Sequence, residues 1–244
     1  MQTISATDEM RPQAAQSEGS ALSPHPHWIL WQLSDSALPS GGFAHSGGLE
    51  ACHRLGHVRN ADDLERHLES QLLQWARGVA PIALMSYRRP DQFPEADRLC
   101  DLLLNHPVTN GASRRQGRGF LFAASHAFAP EPFLDLQKAC EVPGAASHLA
   151  PVFGVICQKL GLDELSAVRL FFFTQLRGVI AAAIRLGIVG PMAAGTMQHR
   201  LLCSTDRLLR IARDTPAEQV GQTAPFAELF ASNHDRLYSR LFQS

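Results

Sequence analysis

The stretch Asp163-Glu-Leu-Ser-Ala-Val-Arg-Leu-Phe-Phe-Phe-Thr-Gln-Leu-Arg-Gly-Val-Ile-Ala-Ala-Ala-Ile-Arg-Leu186 decides the fold. Leu165, Val168, Phe172, Leu176, Val179, Ala183 and Leu186 recur every three or four residues, the period of one face of an α-helix. Asp163 stands where a side-chain oxygen caps the first free amides of such a helix. The wider run from Leu170 to Ala194 is apolar enough to suggest a membrane span. Arg177 and Arg185 interrupt it, and a charge at mid-bilayer costs about 2.5 kcal/mol or more. The reading is therefore a helix buried in a core or a dimer interface, in a soluble cytoplasmic chain.

Helical patterning continues on both sides. Asn60-Ala-Asp-Asp63 is a helix start with acids in its first turn, and Leu64, Leu68, Leu72 and Trp75 carry that helix to about Tyr87. Pro94 opens a helix through Leu99 and Leu103, Thr109 to Phe128 forms the next, and His148 to Leu160 another, stopped at Gly161. Beyond Gly190-Pro191 a further helix runs to about Arg213. Trp28 to Leu38 and Gly48 to Arg54 read as short helices, and Phe226 to Ser244 as a short helix with a tail. Alternating strand patterns are absent. Residues 1–26 are polar, without the basic and apolar regions of a signal peptide, and read as a disordered lead-in. Residues 27–244 then form one all-α domain, a bundle of roughly eight to ten helices.

Composition narrows the function. The 244 residues carry 22 Lys+Arg against 23 Asp+Glu, so the chain lacks the positive field that sequence-independent nucleic-acid binding needs. The five cysteines are scattered and never spaced C-x-x-C, which excludes a disulfide framework and a structural zinc motif. No G-x-S-x-G, Walker A or G-x-G-x-x-G motif is present. The acidic pairs Asp62-Asp63 and Asp163-Glu164 sit at helix starts, where the dipole explains them. Among eleven histidines, His53 and His57 are four apart, a spacing used for metal ligands, but Gly56 lies between them. One segment is less ordinary: Leu33-Ser-Asp-Ser-Ala-Leu-Pro-Ser-Gly-Gly-Phe-Ala-His-Ser-Gly-Gly-Leu-Glu50 places two glycine pairs around Phe43 and His45. A plain helix–helix turn needs one glycine, so this segment calls for close backbone approach to another helix or a partner.

That segment closely resembles the N-terminal motif of the urease accessory protein UreF family. His234-Asp-Arg-Leu-Tyr-Ser-Arg-Leu-Phe-Gln-Ser244 independently resembles the family's terminal histidine followed by Tyr-Ser-Arg-Leu-Phe. Between them, Asn110, Ser113, Gln116 and Gly117 fit the family's central helix, and Arg185 falls where the family has a basic residue before a loop. The loop itself, Gly187-Ile-Val-Gly-Pro191, departs from the commoner Pro-Leu-Gly-Gln, so no role of that glutamine carries over. The resemblance implies an all-helical homodimer that is not an enzyme. It implies an adaptor bridging UreD (also called UreH) and the GTPase UreG, which binds GTP, as nickel is inserted into apo-urease. No tightly bound cofactor, nucleic acid or membrane is implied, and nickel is handled only transiently.

Residue by residue, Tyr238, Arg240, Leu241 and Phe242 are expected to form an exposed apolar tail that docks on UreD, with fold-back onto the chain's own core as the alternative. Glu50 and Arg185 are expected to face UreG, against readings as a solvated helix charge and a helix-dipole partner. His45, Glu50 and His234 are candidates to line a nickel passage, since isolated imidazole and carboxylate groups bind nickel weakly enough to release it. Two other functions stay open: an independent nickel-binding metallochaperone resting on His53 and His57, and an unrelated helical-bundle enzyme, against which the absence of a paired Glu-x-x-His motif counts.

Overall fold

The computed structural model describes residues 25–223 and 239–243, and every structural statement below concerns those residues. Its α-helices are, in chain order, α1 (Pro26–Ser34), α2 (Leu49–Arg54), α3 (Ala61–Arg77), α4 (Val79–Arg88), α5 (Phe93–Leu103), α6 (Pro107–Ala127), α7 (Leu134–Glu141), α8 (Leu149–Lys159), α9 (Glu164–Arg185), α10 (Pro191–Cys203) and α11 (Thr205–Asp214). Short 3-10 turns at Gly42–Ala44, Pro90–Gln92, Glu131–Phe133 and Ala217–Gln219 join some of them, and the described residues contain no strand. The all-α expectation is what the molecule shows. Of the expected lead-in, residues 1–24 lie outside the described residues, and Pro26 is already the first residue of α1.

Several elements differ from the sequence reading, beginning with the helix expected over Trp28 to Leu38, which spans Pro26–Ser34. The helix expected from Asn60 to Tyr87 is two helices, because the chain turns at Gly78 between α3 and α4. The helix expected to run from Pro191 to Arg213 breaks at Ser204 into α10 and α11. A short helix, α7, occupies a stretch to which the apolar pattern assigned nothing. The expected caps hold: the Asn60 side chain accepts the Asp63 amide, and that of Asp163 accepts the Ser166 amide, each at 2.9 Å.

The centre is the α4–α8 pair, with α6, α5 and α9 also packed on α8. The two backbones meet at Gly154, where a Cβ would stand 2.0 Å from the Ala83 carbonyl oxygen. Gly117 does the same between α6 and the loop before α8, its missing Cβ falling 2.0 Å from the Ser147 oxygen. α9 runs across this centre and packs on α3, α4, α8, α10 and α1, with Leu170, Phe171, Phe172, Leu176 and Ile180 buried. It is long and apolar enough to cross a membrane, but more than half of its apolar window is buried against these neighbours, as in a core helix. Two of its three arginines serve the N-terminal region: Arg177 donates to the Ser34 carbonyl at the end of α1, and Arg185 to the Phe43 carbonyl at 2.8 Å.

Candidate functional site

The glycine-rich segment between α1 and α2 builds the site. Gly47 and Gly48 lie at φ 63° and 86°, the left-handed region that other residues avoid, and they turn the chain directly into α2. Gly47 also passes close to α9, where a Cβ would meet Val179 at 3.2 Å. This tight passage carries His45, Ser46 and Glu50 inside, all three buried. The Ser46 hydroxyl oxygen accepts the Glu50 amide at 3.3 Å.

Glu50 is fully buried at the start of α2, and its carboxylate receives a distant part of the chain. Oε1 accepts the Leu241 amide at 2.7 Å and Oε2 the Phe242 amide at 3.1 Å. The Gln243 amide continues the contact by donating to the Ala44 carbonyl at 2.8 Å. Phe242 is buried here, and the Arg185 guanidinium lies 4.2 Å over its ring and 4.3 Å over that of Phe43. Arg185 is thus held between two aromatic faces while it bonds the loop carbonyl. Phe43 and Leu241 keep much of their surface exposed at the rim, 67% and 49%.

The structure therefore brings Glu50, Arg185 and the adjacent pair Leu241 and Phe242 together from three separate parts of the sequence. Two expectations about their placement change. Glu50 does not face outward, either as a solvated charge or as a contact surface, because its carboxylate is consumed by the main chain of residues 241 and 242. Phe242 does not project from an exposed apolar end; it folds back into the core, the alternative weighed above, and Leu241 alone of that pair stays half exposed. Arg240 is exposed, while Tyr238 and His234 lie outside the described residues. The His53–His57 spacing does not survive folding. α2 ends at Arg54, the chain reverses at Gly56, and a ring nitrogen of His53 is bonded 2.7 Å from the Val58 carbonyl oxygen. Among the described residues no three His, Cys, Asp or Glu side chains gather as a metal cluster.

A second polar assembly was not singled out from the sequence. Asp97 of α5 is buried and accepts three successive amides, those of Ala146, Ser147 and His148, at 2.8, 2.9 and 2.7 Å. One turn on, Asp101 accepts Asn110 at 2.8 Å and Arg114 at 2.6 Å and lies 3.1 Å from Nε2 of His148, whose Nδ1 is 3.0 Å from the Ser113 hydroxyl. The hydrogen bond from Asn110, with Arg114 and His148 behind it, holds the Asp101 carboxyl well below its ordinary range. Burial lowers His148, against the pull of Asp101. The ring is then neutral: its Nε2–H donates to the carboxylate, and Nδ1 accepts the serine proton. Ser113 in turn accepts the Leu149 amide at 3.3 Å. The network ties α5, α6 and the start of α8 together, and it gives Asn110, Ser113 and Gly117 of the matched central helix definite structural duties. On the α5 side the sequence signal for it is the i, i+4 spacing of Asp97 and Asp101; their partners lie many residues away.

Between the two assemblies lies a cavity of about 220 Å³, whose wall mixes His45, Ser113, two threonines and five glutamines with apolar residues that include Trp75 and Phe171, and holds no Asp, Glu, Lys or Arg among the described residues.

Fold and site together define an all-α bundle whose most developed polar chemistry holds its own polypeptide in place. The UreF family model matches residues 58–202. The chain is 36% identical to "Urease accessory protein F" of Arabidopsis thaliana over 89% of its length and 92% of the relative's. It is 32% identical to "Urease accessory protein UreF" of Trichodesmium erythraeum, covering 87% and 94% of the two chains. With the protein of that name from Mycobacterium tuberculosis it shares 31%, covering 88% and 98%. The chain belongs to the UreF family of urease accessory proteins.

Proposed function

We propose that this chain is a non-catalytic adaptor in urease maturation: a cytoplasmic homodimer that joins UreD to the GTPase UreG and regulates UreG while nickel enters apo-urease. The observation that carries this reading is the seat for residues 241–243. A protein whose task is docking profits from a segment held by main-chain hydrogen bonds beside exposed rings, because such a segment can be redirected onto a partner without unfolding the bundle. Trp28 and Trp31 of α1, 63% and 58% exposed, stack edge-to-face on the same N-terminal region that Arg177 and Arg185 tie down, and they extend the aromatic surface available to UreD.

GTP belongs to UreG in this reading, and nickel is cargo. In this reading His45, buried on the cavity wall next to the Glu50 seat, is a weak imidazole donor, which suits passage over storage. The decisive experiment measures nickel content and activity of urease co-expressed with its accessory proteins, with and without this chain. Low nickel without the chain and full nickel with it is expected; equal nickel in both sinks the adaptor reading. Deleting residues 238–244 is expected to abolish UreD capture while helicity is kept.

A further inference from the structure

α10, which packs on α9, carries a histidine and a cysteine outside both polar assemblies. His199 and Cys203 are four residues apart on one helix, so they share a face. Both are exposed, and Nε2 of His199 lies 3.7 Å from Sγ of Cys203. A tetrahedral ion with a metal–sulfur bond of about 2.3 Å and a metal–nitrogen bond of about 2.0–2.1 Å separates its two donors by roughly 3.6 Å. The spacing of the two atoms is already that bite.

We propose that His199 and Cys203 form a two-ligand site for a borderline divalent metal ion of the zinc–nickel class. Imidazole and thiolate are the donors this class prefers. Binding releases the thiol proton to solvent, and the sulfur and the neutral Nε2 then bond the ion. The remaining coordination positions stay open to water or to a donor from another protein, so the site exchanges its ion readily. The other cysteines are unsuited to this chemistry. Cys52, Cys100 and Cys157 are buried, and burial pushes their thiols up, that of Cys52 to about 11. Cys140 is half-buried and raised for the same reason. Cys203 is the one exposed cysteine among the described residues. The neighbouring positive charge of Arg200 is paired with Glu65 through two contacts of 2.7 and 2.8 Å, which reduces its repulsion of a cation.

The test is titration of the reduced, full-length chain with cobalt(II). One equivalent is expected to produce a thiolate-to-cobalt charge-transfer band in the near ultraviolet. Cys203→Ser should remove the band, His199→Ala should weaken binding by about 10- to 100-fold or more, and Cys140→Ser should change neither. His199 and Cys203 are exposed and Cys140 only borders the core, so circular dichroism should remain that of the parent chain. No band in the parent, or a band that survives Cys203→Ser, would overturn the site. Because the readout is the metal on the isolated chain, its failure is separate from any failure of the co-expression experiment.

Discussion

Asp97 and Glu50 are both buried carboxylates that accept successive main-chain amides, yet they hold different kinds of chain. Asp97 clamps residues 146–148, a loop fixed at both ends by α7 and α8 and wedged against Gly117. Glu50 clamps residues 241 and 242, which reach it from 191 residues away with only Phe242 buried beside them. The chemistry is alike, two or three charge-assisted hydrogen bonds. What differs is how much of the core depends on each. Removing the first clamp should damage the bundle; removing the second should free a segment and spare the bundle.

The largest expected effect follows from that difference. Asp97→Ala leaves three buried amides without an acceptor and should cost about 3–5 kcal/mol in urea unfolding. If Glu50→Ala cost as much, the two clamps would be equivalent and the contrast would fail. Acid should also act on the bundle, through two histidines. His148, beside the Asp97 clamp, and His67 on α3 are both lowered by burial, His67 to about 4. Each is neutral in the folded chain but takes up a proton on unfolding, so its contribution is complete above pH 6.5 and is lost as pH falls toward the folded value. Asp101, held below its ordinary 3.8, adds stability above that pH and loses it as pH falls further. His67→Leu should flatten the slope between pH 6.5 and 4 and leave the drop below it; an unchanged slope would remove His67 from this account.

Smaller effects probe the Glu50 seat directly. Glu50→Gln weakens two charged hydrogen bonds and should speed hydrogen exchange of the Leu241 and Phe242 amides by about 10- to 100-fold, with little change in global unfolding. Smallest of all, Arg185→Ala removes the guanidinium from between Phe43 and Phe242 and should cost about 1 kcal/mol, seen as roughly fivefold faster exchange at Phe242. Exchange at parent rates would mean that the ring is held by its burial alone.

The fold was legible where one residue's surroundings are local. The period of α9, its Asp163 cap and the Asn60 cap are properties of a few consecutive side chains, and all were readable. The break at Gly78 was masked by the flanking apolar pattern, which continues through it, although Gly78 and Pro81 in the first turn of α4 are the residues that mark it. The members of the candidate site were legible one by one through the family resemblance, but their placement was not. Burial of Glu50 depends on amides at 241 and 242, and the state of His148 depends on Asp101 and Ser113, each more than thirty residues away from it. Local spacing carries no trace of such partners. His53 and His57 show the converse: a regular spacing that lost its meaning once Gly56 reversed the chain.

The meeting of α4 with α8 is between main chains, at Gly154 and Ala83. In a saturation library the tolerance map should therefore have sharp holes at Gly154 and Gly117, where even alanine is excluded. Gly178 and Gly195, which face open space, should accept most replacements. Around each hole the neighbouring side chains remain free to drift, since what is fitted there is backbone against backbone.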